Sequence, residues 1–441
     1  MKRLEILRTD AFGYAYKAEC QNFSKDFYTA IPVLDLDCAV ASHEVLGFGV
    51  SITDASAYMI SKLPEEKQTE LLKDLFTPAG LNLSIGRLNV GSSDYASGVY
   101  CYDETPDDFE LKDFSIAQDE EYLIPLIRKI RACNPDLYLF SSPWSPPGWM
   151  KTGGTMCGGC MRWKYLPVFA DYYVKYLQSY LAAGIEINAV TMQNEADTDQ
   201  GGTMPQSYLH PDFEAELVGR LMPERLKKAG LNTKLWLYDH NYSNWNRVLY
   251  MLSDPDVRKN IDAVAFHPYA GTPDMMKIVK KAYPESVFQL TEKGPNLRDG
   301  SAESHLFWWA KTIFGALNNG SSSFVGWNCA LNENGEPNVG PFDCAGLVEI
   351  NSLTGEITPS VQYRAFRHIA PYIPRGAKIL DLPCNFPMPD NVCCVVSLNP
   401  DGTHTLVCCN GNETMKAFQI KYKDLYLRVP LRPRSMETIC F

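Results

Sequence analysis

The stretch Ala189-Val190-Thr191-Met192-Gln193-Asn194-Glu195 decides the fold. Ala189, Val190 and Met192 suit a strand interior. Asn194 and Glu195 do not, because a carboxylate at the end of an apolar strand costs free energy unless something there needs it. The stretch Val287-Phe288-Gln289-Leu290-Thr291-Glu292 repeats the design, and Lys293-Gly294-Pro295 then stops the strand. One such glutamate alone reads as the start of a solvated loop. Two of them, on two strand ends of an alternating chain, are what a two-carboxylate glycosidase needs.

Outward from these stretches the hydrophobic period switches back and forth. Strands are predicted at 45–50, 83–88, 137–140, 188–193, 234–238, 263–266, 287–290 and 323–327. Helices are predicted at 65–76, 119–131, 163–183, 212–229, 244–252, 274–282, 304–317 and 361–369. These make about eight β-then-α units, the count of an α/β (β/α)₈ TIM barrel. A doubly wound open sheet is the alternative, but no GxGxxG follows the first strand. At both ends of the chain the helical period is absent. Short strands are expected at 4–6, 14–18 and 39–41, then at 378–380, 392–398, 405–409, 417–420, 426–429 and 437–441, with turns such as Asn399-Pro400-Asp401-Gly402 between them. The expected organisation is a barrel over 43–375. Residues 1–42 and 376–441 combine into a discontinuous antiparallel β-sandwich side domain.

The 441 residues are 45% apolar and 21% charged, as in an ordinary soluble protein. A net charge of -11 disfavours nucleic acid and anionic membrane surfaces as partners. No apolar run approaches the ~20 residues of a membrane span. The N-terminal residues lack the apolar core of a signal peptide, so a cytoplasmic location is expected. The 14 cysteines are read mostly as reduced core residues. Cys157-Gly158-Gly159-Cys160 has the spacing of half a zinc site without a second half, so a loop disulfide or two idle thiols is expected rather than metal.

In a barrel, the chemistry sits at the C-terminal ends of the strands. Those ends carry Asp54, Arg87 and Asp94, then Trp144, Asn194 with Glu195, and Asp239 with His240. His267 with Tyr269, Glu292 and Trp327 complete the series. A retaining glycosidase needs one carboxyl that donates a proton to the leaving oxygen and another that attacks the anomeric carbon. Glu195, beside an Asn194 amide able to hold a sugar hydroxyl, suits the acid/base. Glu292 suits the nucleophile, with Arg87 to keep it ionised and Tyr269 to donate a hydrogen bond. Asp94 can grip hydroxyls, and Trp144 and Trp327 can stack on a sugar. His267 can bond a hydroxyl or cap a loop. Asp54, Asp239 and His240 are expected in support.

Several motifs resemble glycoside hydrolase family 30, which includes the lysosomal glucosylceramidases. They are Gly47-Phe48-Gly49 with Thr53-Asp54-Ala55, Tyr102-Asp103-Glu104-Thr105-Pro106, Ser142-Pro143-Trp144-Ser145-Pro146-Pro147-Gly148-Trp149, Val190-Thr191-Met192-Gln193-Asn194-Glu195 and Trp327-Asn328-Cys329-Ala330-Leu331-Asn332. The resemblance implies a barrel with an attached β-domain, retention of configuration, and neither metal nor cofactor. It implies Glu195 as acid/base and Glu292 as nucleophile, with Asp94, Trp144, Asn194, Tyr269 and Trp327 around the reacting sugar. The chain departs from the family at Ala196, where Pro is common, and around Tyr269 and Trp327. The expected substrate is a β-D-glucosyl carbohydrate or glycoconjugate, glucosylceramide-like. A β-1,6-glucan or a β-xyloside is the alternative, and a non-catalytic carbohydrate-binding barrel is the alternative from another class. Oligomeric state is not legible.

Overall fold

Eight parallel strands close into a barrel in the computed structural model, which describes residues 5–10, 13–18, 22–198, 200–297, 302–383 and 385–441. In chain order they are Gly47–Ser51, Ile85–Asn89, Tyr138–Ser142, Ala189–Thr191, Lys234–Asn241, Ala263–His267, Phe288–Leu290 and Ser321–Gly326. The eighth strand closes on the first through Phe324 opposite Phe48 and Val325 opposite Gly49. Gly49 is required there, since a Cβ would stand 2.2 Å from the carbonyl oxygen of Ile85. Ile85, Phe140, Ala189, Trp236, Ala263 and Val325 form one buried cluster of the barrel strands.

The outer helices occupy the expected places with shifted ends. The helix expected over 212–229 is broken into Pro211–Glu216, a π turn at Leu217–Leu221 and Met222–Ala229. Pro223 has no N–H for the α-helical ladder, so the backbone widens ahead of it. Gly230 ends the last segment at φ +68°.

Both chain ends build a second layer. A seven-stranded sheet runs in the order Ala15–Ala18, Glu5–Thr9, Ser435–Cys440, His404–Asn410, Val392–Leu398, Lys378–Asp381 and Val40–Glu44. One face of it sends Val395, Val407, Cys409 and Met436 into the main core with the barrel helices. The other sends Cys394, Val396, Leu406, Cys408 and Ile439 against a smaller sheet of Leu425–Leu431, Lys416–Tyr422 and Val33–Asp35. Adjacent cysteines therefore point to opposite faces, and Cys393, Cys394, Cys408 and Cys409 are all free thiols.

Three expectations are corrected. Val33–Asp35 is a strand and pairs in parallel with Lys416–Tyr422, so the sandwich is not wholly antiparallel. Three residues are too few to display alternation in sequence. The connection after the eighth barrel strand carries a small sheet of Ala330–Leu331, Val348–Ile350 and Ile357–Pro359, none of it expected. Cys157 and Cys160 are free, so the disulfide reading fails and the idle-thiol reading stands. The strand expected at 4–6 is seen as Glu5–Thr9, and Leu4 lies outside the described residues. Among the described residues no helix is long and apolar enough to cross a membrane.

Candidate active site

Two local distortions aim the acidic residues. The fourth barrel strand stops at Thr191, earlier than its apolar run suggests. The chain then turns so that the Asn194 N–H donates to the Pro143 carbonyl at 2.8 Å and the Glu195 N–H to the Asp239 carbonyl at 3.0 Å. Glu195 itself is left-handed, at φ +48°. The fifth strand does not end at Tyr238 as its sequence suggests but continues to Asn241 through a bulge. Ala265 faces Tyr238 and Phe266 faces His240, so Asp239 is the extra residue, with Tyr238 and Asp239 at φ +85° and +63°. A bulge re-aims a side chain, and here it turns Asp239 into the barrel.

Asp239 is the hub. Its carboxylate accepts from Ser142 Oγ at 2.7 Å, Thr191 Oγ1 at 2.8 Å, Thr291 Oγ1 at 2.6 Å and Arg87 Nη2 at 2.9 Å, and it meets His267 Nε2 at 3.0 Å. Burial alone would raise its pKa. The Arg87 charge and the hydrogen bonds from His267 and Thr291 outweigh burial and hold it far below the usual carboxylate range. Arg87, fully buried, then reaches outward. It donates through Nη1 to Glu292 Oε2 and through Nη2 to Asn194 Oδ1 at 2.8 Å. Burial opposes its charge, but Asp239 and Glu292 more than compensate. Tyr269 Oη donates to the other oxygen of Glu292 at 2.8 Å. Glu292 is thus a carboxylate held by two donors.

Glu195 faces it. A carboxylate oxygen of each glutamate and a ring nitrogen of His267 all lie within 4.8 Å of one another. Inverting pairs stand about 6.5–9.5 Å apart to admit a water, and retaining pairs about 5–5.5 Å. This separation belongs to the shorter class. Glu195 Oε1 lies 3.0 Å from His267 Nδ1 and 3.9 Å from His240 Nε2. Because His267 Nε2 faces an ionised Asp239, that nitrogen is the donor, and the Nδ1 side shares one proton with Glu195. Burial opposes a charged His267. The charge of Glu292 and the bonds to Asp239 and Glu195 prevail and lift its pKa to about 9. The same imidazolium outweighs burial at Glu195 and draws its carboxyl below the usual value. His267 therefore has no face left for a sugar. It is fully buried with both ring nitrogens engaged, which corrects its expected place among the substrate contacts.

Of the expected set, Asp94, Trp144, Asn194, Tyr269 and Trp327 line a cleft of about 370 Å³ with both glutamates. Trp144 and Trp327 stack at 5.0 Å and 21°, with the Arg87 guanidinium 4.8 Å and 5.6 Å from their rings. Asp94 lines the cleft, nine-tenths or more buried, and its Oδ1 has no hydrogen-bond partner. Burial first, then the charges of Glu292 and Glu195, push its pKa well up. A sugar hydroxyl would satisfy that oxygen. Asp54 sits outside the cleft and accepts from Ser97 N and Oγ at 2.7 and 2.8 Å, fixing the loop that carries Asp94. His240 bonds Thr198 Oγ1 at 3.0 Å, and burial lowers its pKa.

Sequence reading missed the hydroxyls of Ser142, Thr191 and Thr291 that hydrogen-bond the hub. Thr191 and Thr291 precede the acidic strand ends closely, and a polar residue inside an apolar strand was the available signal. It also missed Asn241, at the end of the lengthened fifth strand, and Thr198, Gln200, Phe342 and Cys344, which line the cleft from loops without periodicity. Larger hollows of about 750 and 800 Å³ lie elsewhere, and neither contains the glutamate pair.

The model of the glycosyl hydrolase family 30 TIM-barrel domain matches residues 45–352. An endo-1,6-β-D-glucanase of Neurospora crassa is 31% identical over 76% of this chain and 72% of its own length. The lysosomal acid glucosylceramidase of Mus musculus is 28% identical over 87% of this chain and 78% of its own. The crystal structure of SrfJ from Salmonella typhimurium superposes with a TM-score of 0.92 at 23% identity, covering 99% of each chain, and so shares the fold.

Proposed function

The chain belongs to glycosyl hydrolase family 30, and on that premise we propose that it hydrolyses β-1,6-linked glucans by double displacement. The observation that carries this reading is the short gap between the two glutamates, with donors on one and a proton-sharing histidine on the other.

Glu292, aligned by Arg87 and Tyr269, attacks the anomeric carbon. Glu195 gives its proton to the leaving oxygen, and a glycosyl ester forms on Glu292. Water then enters where the leaving group was. Glu195 takes its proton, the ester breaks, and Glu292 is restored. The proton that Glu195 shares with His267 Nδ1 leaves with the departing oxygen, and the proton Glu195 then takes from the water restores it to the pair. Asp239 keeps the ring oriented throughout.

Two things favour a glucan over glucosylceramide. The relative named an endo-1,6-β-glucanase has the higher identity of the two reported above. The cleft also includes Thr198, Gln200, Asn241, Lys293 and Asn296, polar groups suited to a sugar leaving group rather than a lipid. The test is a panel of a β-1,6-glucan, a β-xylo-oligosaccharide and glucosylceramide, with product anomers followed by NMR. The highest kcat/KM is expected on the glucan, with the β-anomer appearing first. A preference for either other substrate would overturn the linkage, and an α-anomer appearing first would overturn double displacement.

A further inference from the structure

The cleft is lined partly by buried side chains and partly by exposed ones. Asp94, Trp144 and Trp327 are no more than 4% exposed, whereas Tyr269 is 41% exposed. Beyond the Tyr269 ring an aromatic and cationic series continues. The Lys293 ammonium lies 4.2 Å from the Tyr269 ring centre and 5.0 Å from that of Trp308. Trp308, on the helix Ala302–Asn318, is 43% exposed. Its neighbour Trp309 is buried and meets it edge-on at 5.1 Å.

An indole left in water at the rim of a sugar cleft is an uncovered apolar face. This one is braced by Trp309 and the Lys293 ammonium, so covering it costs little ordering of the side chain. Its position also has a direction. The buried part of the cleft, with the unpartnered Asp94 oxygen, takes the sugar whose anomeric carbon reacts. The leaving oxygen points towards Glu195, and Tyr269 is one of the exposed lining residues past which its remaining chain can leave.

We propose that Trp308, with Lys293 and Tyr269, forms a platform for the glucosyl unit on the leaving-group side of the scissile bond. The apolar face of that sugar covers the indole, and its hydroxyls meet the ammonium and water. The platform selects chains over small leaving groups. It rests on the glycan reading given above.

The test compares wild type, Trp308→Ala and Trp308→Phe on two substrates with the same reacting sugar. One is β-glucosyl fluoride, whose leaving group reaches no platform. The other is a β-1,6-linked glucotetraose. Trp308→Ala is expected to keep kcat/KM on the fluoride within about twofold and to lose about tenfold on the tetraose, chiefly through KM. Trp308→Phe, which keeps a ring, should retain most of the tetraose activity. Equal losses on both substrates would mean a merely structural role and overturn the platform, as would no loss on the tetraose. If wild type turns over the fluoride but not the tetraose, the β-1,6 reading fails alone. The same ratio is then measured on whichever panel oligosaccharide is cleaved. If none is cleaved, the platform falls with it.

Discussion

At the scale of the residue, the two glutamates sit in unlike surroundings, and their loss should look unlike. Glu292→Ala removes the attacking oxygen, so no glycosyl-enzyme forms with any leaving group. Glu195→Ala leaves the attack intact but removes the proton donor. A dinitrophenolate leaves without protonation, so with that substrate the ester should form and accumulate. An alkyl glycoside should lose the ~10²–10⁴-fold that general acid catalysis supplies. Added azide should rescue Glu195→Ala to a β-glycosyl azide and Glu292→Ala to an α-azide. The opposite pairing, read by NMR of the products, would exchange the roles. His267 carries a second expectation. Its folded pKa of about 9 stands above its ordinary 6.5. The stabilisation from its protonated ring is therefore complete below about pH 6.5 and is lost as pH rises through about 9. The proton it shares with Glu195 goes in the same window, so kcat/KM should fall on an alkaline limb near there. In His267→Gln the carboxyl of Glu195 holds that proton alone. The limb should move to lower pH, with kcat down about tenfold or more. An unmoved limb would remove His267 from the acid's titration.

At the scale of the element, two strands far apart in sequence are locked by one buried pair. Arg8 Nε and Nη2 donate to the Glu437 carboxylate at 2.8 and 3.1 Å, joining Glu5–Thr9 to Ser435–Cys440. Neither side chain is more than 10% exposed. Removing one partner leaves the other buried and unpaired, so Glu437→Ala should cost about 3–5 kcal/mol in urea unfolding. The double change Arg8→Met with Glu437→Leu leaves no charge uncompensated and should lie much nearer wild type. If the double variant is as unstable as the single, packing and not charge holds the strands. The fifth barrel strand shows how an element serves the site. Its bulge costs ladder regularity and two left-handed residues, and in return it directs Asp239 inward under Arg87 and His267.

At the scale of the whole molecule, the side sheet is part of the barrel's own core. Val395, Val407, Cys409 and Met436 pack with Ile313, Leu317, Phe366 and Ile369 of the barrel helices in one cluster. An excised fragment of residues 43–375 would expose that face to water. We expect it to aggregate or to melt without a cooperative transition, whereas the full chain melts cooperatively in calorimetry. A soluble fragment with full activity would show the side sheet to be a mere appendage. The alternation of apolar strands and amphipathic helices, and the glutamates that end two of those strands, were legible from the sequence alone. Hydrophobic period is a local property, and a carboxylate after an apolar run is conspicuous wherever it lands. The strand of Val33–Asp35, the bulge at Asp239 and the place of His267 between Asp239 and Glu195 were not legible. A three-residue strand has no period, a bulge is set by its partner strand, and a histidine is read as a sugar contact until both its nitrogens are seen to be taken. Only the closed barrel links Glu292, Arg87, Asp239, His267 and Glu195 in one series of hydrogen bonds, because the strands that carry them are separated by whole helices in the chain and by a few ångströms in the fold.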